Sequence, residues 1–143
     1  MSKSSTPRQK PQSGALTSIL VVDDEPIILS LLSEVLHLDG YEVDTAPNGL
    51  AALDKLRERA YGLVLCDLKM PKLDGEGFYR QAVQLSPILR HRFVFVTGSA
   101  LDPHTLAFLN QTGARVLSKP FSVEELRRVV RQALLAVQEA HPA

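Results

Sequence analysis

Two adjacent aspartates, Asp23 and Asp24, close the apolar run Ile19-Leu20-Val21-Val22, and a third, Asp67, closes the run Leu63-Val64-Leu65-Cys66. Lys119 follows a further short run, Ala114 to Leu117. Three carboxylates brought together raise one another's pKa by like-charge repulsion unless a cation neutralises them. An all-oxygen donor set with a partly hydrated shell suits magnesium, or manganese, rather than zinc, which takes His and Cys. None of the histidines, His37, His91, His104 and His141, falls in a ligand-spaced cluster. A carboxylate beside such an ion can attack phosphorus to give an acyl phosphate, with a lysine balancing the charge of the oxygens.

The rest of the chain must place these residues at one spot. Ser18 to Val22 reads as a buried strand, a continuous β-rich run too short for a helix. Pro26 stands at a first helical position, and Ile28, Leu31, Leu32, Val35 and Leu36 form an apolar stripe that Gly40 ends. Tyr41 to Ala46 alternates as a second strand, Asn48 caps a helix bearing Ala52, Leu53 and Leu56, and Leu63 to Cys66 is the third strand. A helix after Asp74-Gly75 carries Phe78, Ala82 and Leu85 on one face and runs to the neighbourhood of Pro87. Phe93 to Val96 is the fourth strand. Asp102-Pro103 starts the next helix and Gly113 ends it, before a fifth strand from Ala114 to Leu117. Ser122 and Glu125 form a capping box for the last helix, with Phe121 and Leu126 placed as a hydrophobic staple.

Five strands alternating with five helices in about 120 residues imply an α/β fold, a doubly wound parallel sheet with helices on both faces and each strand apolar throughout. Ligands in such sheets bind at the carboxyl ends of the strands near a topological switch point. Asp24, Asp67, Thr97 and Lys119 follow the first, third, fourth and fifth strands, so they are expected to converge on one edge.

Bulk properties narrow the function. The length of 143 residues suits one domain. Lys plus Arg and Asp plus Glu are balanced at 16 each, so no global field favours nucleic acid or an anionic membrane, and a protein partner is expected. A single cysteine makes no internal disulfide and suits a reducing, cytoplasmic setting. No apolar stretch approaches the roughly 20 residues that span a bilayer, and the N-terminus lacks the apolar core of a signal peptide. Residues 1–17, rich in Ser, Pro, Gln and Lys, read as a disordered tail or linker. The domain is expected over residues 18–139, with a short tail over 140–143.

Four motifs in order resemble the receiver domains of two-component response regulators: Val22-Asp23-Asp24-Glu25, Asp67-Leu68-Lys69-Met70-Pro71 with Asp74-Gly75, Val96-Thr97-Gly98, and Lys119-Pro120-Phe121. The resemblance implies a flavodoxin-like (βα)5 fold with strand order 2-1-3-4-5. It implies that Asp67 accepts a phosphoryl group from a phosphohistidine on a sensor histidine kinase or a histidine phosphotransfer protein. By the same resemblance, Asp24 and Asp67 hold magnesium directly, Asp23 does so through water, and the main-chain carbonyl of Lys69 adds a ligand. Thr97 donates its hydroxyl to a phosphoryl oxygen, Lys119 pairs with another, and the bond before Pro120 is cis. Such a domain is not an enzyme in the ordinary sense, since it catalyses only its own phosphorylation and dephosphorylation. Gly77-Phe78-Tyr79-Arg80, Phe95 to Gly98, and Phe108-Leu109 to Thr112-Gly113 look similar to hybrid-kinase receivers.

Two positions depart from the commonest pattern of that family. Val116, three residues before Lys119, stands where many receivers carry an aromatic switch residue. Lys69, two residues after Asp67, is expected to screen an acyl phosphate from water and lengthen its lifetime, or simply to point to solvent. Other readings of the chain are a binding module that keeps the fold without phosphorylation, or a haloacid dehalogenase-type phosphatase. The latter needs an aspartate where Lys69 stands. Asp23 and Asp24 have an alternative use as helix caps before Pro26. Cys66 reads as core. Arg127, Arg128 and Arg131 read as a solvated face or part of a docking surface. Few residues follow the last helix, so the output is expected to be a change of protein contacts.

Overall fold

In three segments every residue is buried, and these become the middle of the sheet: β1 (Ser18–Val22), β3 (Leu63–Asp67) and β4 (Phe93–Thr97). The computed structural model describes residues 17–98 and 101–140. The remaining elements are α1 (Pro26–Leu38), β2 (Glu42–Ala46), α2 (Gly49–Glu58), α3 (Gly75–Leu85), α4 (Pro103–Thr112), β5 (Arg115–Ser118) and α5 (Val123–Ala140). The strands pair in parallel in the order β2-β1-β3-β4-β5, the order expected from the resemblance. Order reverses between β1 and β3, and this switch point is where the ends of β1 and β3 lie side by side, with Val22 opposite Cys66.

Alternation along each strand sorts its side chains onto two faces. Leu20, Val22, Val64, Cys66 and Phe95 face α2, α3 and α4, whereas Ile19, Val21, Leu65, Val94 and Val96 face α1 and α5. The first face holds an aromatic cluster of Phe78, Tyr79, Phe93, Phe95 and Phe108, with ring centroids 5.0 to 5.8 Å apart. Offset and edge-on pairs at such distances each add about 0.5–1.5 kcal/mol beyond burial. Cys66 belongs to this core and is fully buried, and burial pushes its thiol pKa well up.

Local signals produce the expected caps. Asn48 accepts the Ala51 N–H, Asp74 that of Gly77, and Asp102 that of Thr105. Ser122 and Glu125 exchange reciprocal bonds at 2.9 and 3.0 Å. Gly113 ends α4 in the left-handed region at φ +66°, where a Cβ would be strained.

The fold departs from the sequence expectation in four places. The edge strands are not apolar throughout: in β5 only Leu117 is buried, and β2 exposes Glu42. An edge strand has one neighbour and incomplete helical cover, so burial demands less of its sequence. Asp67 and Thr97 are the last residues of β3 and β4 rather than the first of the following loops. A 3-10 turn at Pro87–His91, with Leu89 buried, fills the α3–β4 connection. Thr17, expected in the tail, accepts the Glu42 N–H through its carbonyl, and α5 runs to Ala140. The other residues of the expected tails, 1–16 and 141–143, lie outside the described residues.

Candidate functional site

Two strand ends and two loops at the carboxyl edge of the sheet bring the candidate residues together. The β1–α1 loop supplies Asp23 and Asp24, the end of β3 supplies Asp67, the end of β4 supplies Thr97, and the β5–α5 loop supplies Lys119. Asp23, Asp24 and Asp67 each offer a carboxylate oxygen within 4.8 Å of the others. Lys119 Nζ donates to Asp67 Oδ2 at 3.1 Å and stands 3.9 Å from Asp23 and 3.7 Å from Glu25. The Lys69 N–H donates to the other Asp67 oxygen at 3.2 Å. Both oxygens of Asp67 are therefore fixed, and their side chain is aimed at the cluster. The Lys119–Pro120 bond is cis.

The capping alternative for the aspartate pair does not hold. Glu25 is the N-cap of α1 and no side chain caps that helix, since Pro26 at its start removes one donor that would need a partner. Asp23 Oδ1 instead accepts the Glu25 N–H at 2.9 Å, which locks the acidic loop.

Burial and charge work against each other here. Asp23 is 1% exposed, whereas Asp24 is open to solvent. Burial pushes the Asp23 pKa up; the Glu25 N–H pulls it down, the nearby Asp67 charge adds to the rise, and it settles at about 6. Burial opposes the charge on Lys119, but its hydrogen bond to Asp67 and the charges of Asp67, Asp23 and Glu25 outweigh this and raise its pKa. One ammonium cannot neutralise three acids and Glu25 together. The site is thus electron-rich, made only of oxygen donors, and half open to water, which fits a hard divalent cation.

Thr97 is 3% exposed and donates its hydroxyl to the Gly98 carbonyl at 3.0 Å. It borders a cleft of about 400 Å³ between the β3–α3 loop and α4, which Lys69, Glu76, Asp102 and His104 also line. Lys69 is exposed there. Glu76 bridges the cleft, accepting from Arg80 at 2.8 Å and meeting His104 at 2.9 Å.

The family profile of the response regulator receiver domain matches residues 19–131. The chain belongs to that family. The receiver domain is 34% identical over 121 residues to the response regulator receiver protein CpdR of Brucella abortus, covering 82% of this chain and 97% of CpdR. It is 37% identical over 112 residues to the sensor histidine kinase RcsC of Salmonella typhi, covering 78% of this chain but only 12% of RcsC. Among solved structures it is similar to a receiver domain protein of Clostridium thermocellum, with a TM-score of 0.76 and 30% identity over 87% of this chain and 98% of that one. The same unit therefore makes up nearly all of one relative and a small part of another. Its role as a phosphoacceptor in two-component signalling, and its CheY-like sheet, follow from this membership. Among the described residues no helix is long and apolar enough to cross a membrane.

Sequence reasoning missed two supports of the receiver site. Glu25 extends the acidic group to within ion-pair reach of Lys119; its place in the Asp-Asp-Glu run was the available signal. Gly75 lets α3 start against β3, since a Cβ there would stand 2.7 Å from the Asp67 carbonyl oxygen and 2.8 Å from Leu68 Cα. Only the Asp-Gly pair hinted at that approach. Arg127 donates to Asp39 at 2.8 Å, tying α5 to the end of α1, so it is not free on a solvated face.

Proposed function

We propose that Asp67 is the phosphoacceptor of a magnesium-dependent phosphorelay step. The observation that carries this reading is the fixing of Asp67 by the Lys119 ammonium at 3.1 Å within an acidic cluster whose oxygens lie inside 4.8 Å. A carboxylate oxygen of Asp67 attacks the phosphorus of a phosphohistidine. The Asp67 O–P bond forms, the P–N bond to imidazole breaks, and the imidazole nitrogen leaves with the electron pair and takes up a proton.

Asp24 and Asp67 would hold magnesium directly, Asp23 through water, and the Lys69 carbonyl would complete the protein's share; manganese has the same donor preference. When bound, the ion neutralises the acids and the transferring phosphoryl oxygens. Lys119 balances a further phosphoryl oxygen. Thr97 exchanges its Gly98 partner for the phosphoryl group, which draws on the segment after β4 and on α4. Val116 is 38% exposed on β5 and carries no ring to reorient, so the output runs through the β4–α4 segment rather than through an aromatic switch. Phosphorylation adds about two negative charges, and the resulting change is one of protein contacts.

The donor is a sensor histidine kinase or a histidine phosphotransfer protein, and the setting is cytoplasmic, consistent with a lone buried thiol. Incubation with magnesium and acetyl phosphate, followed by intact mass measurement, tests the reading. A phosphoryl adduct on wild type and none on Asp67→Ala is expected. An adduct on both places the phosphoryl group elsewhere, and none on either leaves a phosphorylation-independent binding module.

A further inference from the structure

Helix α4 follows the strand that Thr97 ends, and it is lightly held. Only Phe108 and Leu109 of its ten residues are buried. Its N-terminal turn is capped locally, by Asp102 on the Thr105 N–H, and the bond from the Thr112 hydroxyl to the Leu109 carbonyl stays inside the helix. Among the described residues, the one side-chain hydrogen bond from α4 to another helix joins His104 to Glu76 of α3, at 2.9 Å.

That bond belongs to a seam with two rungs. Glu76 and Arg80 stand one turn apart on α3, and His104 and Phe108 stand one turn apart on α4. Glu76 gives one carboxylate oxygen to His104 and the other to Arg80, which donates from Nε at 3.2 Å and from Nη2 at 2.8 Å. The Arg80 guanidinium in turn lies 5.4 Å from the centre of the Phe108 ring, a cation–π contact. Burial raises the Glu76 pKa, but the bonds from Arg80 and His104 outweigh it and hold the carboxyl below its ordinary value. An ionised carboxylate only accepts, so His104 Nε2 carries the shared proton whether the ring is neutral or charged. Glu76, His104 and Phe108 line the same cleft as Thr97. The seam thus closes across the wall on which the segment after β4 pulls.

We propose that Glu76 and His104 form a latch that holds α4 against α3 and opposes its response to phosphorylation. This rests on the reading of Asp67 as the phosphoacceptor and names a regulation of that same site. Both are positioning residues, since neither belongs to the acidic cluster. A contact made in one arrangement of α4 and lost in the other favours the first, and by linkage it disfavours phosphorylation by the same factor. The His104 side chain is 76% exposed, so the latch is a bias rather than a lock, worth about two- to fivefold.

The test compares the full chain as wild type, His104→Ala, Glu76→Ala, the double variant and His104→Lys, with Arg57→Ala breaking a surface pair on α2 as control. NMR records hydrogen exchange and chemical shifts of the amides of residues 107–112, in the chain alone and with magnesium and beryllium fluoride, a phosphoryl mimic. Intact mass measurement follows loading by acetyl phosphate. His104→Ala and Glu76→Ala are expected to speed exchange in α4, to move its shifts in the chain alone part of the way toward their beryllium fluoride positions, and to load about two- to fivefold faster than wild type. The double variant is expected to match Glu76→Ala, because the two residues act through one bond. His104→Lys keeps a donor facing Glu76 and is expected to return toward wild type, and Arg57→Ala to change none of these readings. Faster exchange without movement toward the loaded positions, unchanged loading in His104→Ala, or a double variant that multiplies the single effects overturns the proposal. Failure of the wild type to load removes the phosphoacceptor reading instead; exchange then judges the latch, and equal α4 exchange in wild type, His104→Ala and Glu76→Ala overturns it.

Discussion

Lys119 and Asp67 are 52 positions apart in the chain, yet the ammonium of one lies 3.1 Å from a carboxylate oxygen of the other. The same ammonium faces Asp23 at 3.9 Å and Glu25 at 3.7 Å. A single positive charge thus occupies the centre of an acidic group that is also suited to a divalent ion, so lysine and metal act on the same carboxylates.

Lys119→Met separates these two roles because it changes them in opposite directions. Removing the ammonium deletes a charge that repels an incoming cation, so magnesium is expected to bind roughly three- to tenfold tighter, about 0.7–1.4 kcal/mol. Phosphorylation by acetyl phosphate is expected to slow by at least tenfold, since nothing then balances the phosphoryl oxygen on that side. Calorimetric titration and intact mass kinetics on the same preparation check the pair; weaker magnesium binding in the variant would contradict the competition.

The Asp23 carboxyl supplies a pH dependence of known sign. Its pKa in the fold, about 6, exceeds its ordinary value of 3.8, so the folded chain holds this proton over a range where the unfolded chain has released it. Its contribution to metal-free stability is present in full below pH 3.8 and is lost as pH rises through about 6. A divalent ion requires the deprotonated form, so magnesium affinity is expected to rise across the same window and binding to release protons. Thermal melts of wild type and Asp23→Asn, with and without magnesium, isolate the group. Without metal, the advantage of Asp23→Asn over wild type should grow from pH 5 to pH 7.5; with magnesium it should shrink or reverse.

Residues whose role is local were legible in the sequence. The Ser122–Glu125 box, the Asp102 and Asn48 caps and the Gly113 stop each state their function within a few positions, and each forms as expected. The three central strands were legible because burial on both faces demands an unbroken apolar run. The edge strands were legible to within a residue, but their exposure was not, because Arg115 and Val116 on β5 answer to one neighbour and to solvent. The meeting of Lys119 with Asp67 was inferred from topology rather than composition, whereas the contact of Lys119 with Glu25 and the clearance at Gly75 depend on sub-ångström backbone placement that no spacing encodes.

Gly75 is accordingly a stringent test of how the fold holds the acceptor. A Cβ at this position would meet backbone, the Asp67 carbonyl at 2.7 Å and Leu68 Cα at 2.8 Å, not the movable end of a side chain. Gly75→Ala is expected to destabilise the chain by about 1–3 kcal/mol through overpacking and to displace the strand end that carries Asp67. Gly98→Ala is the control, since among the described residues a Cβ there meets nothing within 4 Å; its effect is expected to stay within about 0.5 kcal/mol. Urea denaturation of both variants gives the comparison, and equal stabilities would show that the β3–α3 loop yields freely.

The lifetime of the phosphorylated state is expected to depend on Lys69. Its main-chain N–H is bonded to Asp67, so the position of its Cα is fixed, while its side chain is exposed at the cleft beside Thr97. A long cationic chain anchored there can lie over an acyl phosphate and hinder the approach of water. Lys69→Asn keeps the backbone bond but removes both reach and charge, so decay is expected to accelerate several-fold while the rate of phosphorylation changes less. Loading with acetyl phosphate, rapid removal of the donor and timed intact mass spectra measure the decay. Lys69→Met retains most of the length without the charge; slow decay in that variant would assign the protection to steric cover, and fast decay to the ammonium. Unchanged decay in both variants would mean that Lys69 serves the site only through its backbone.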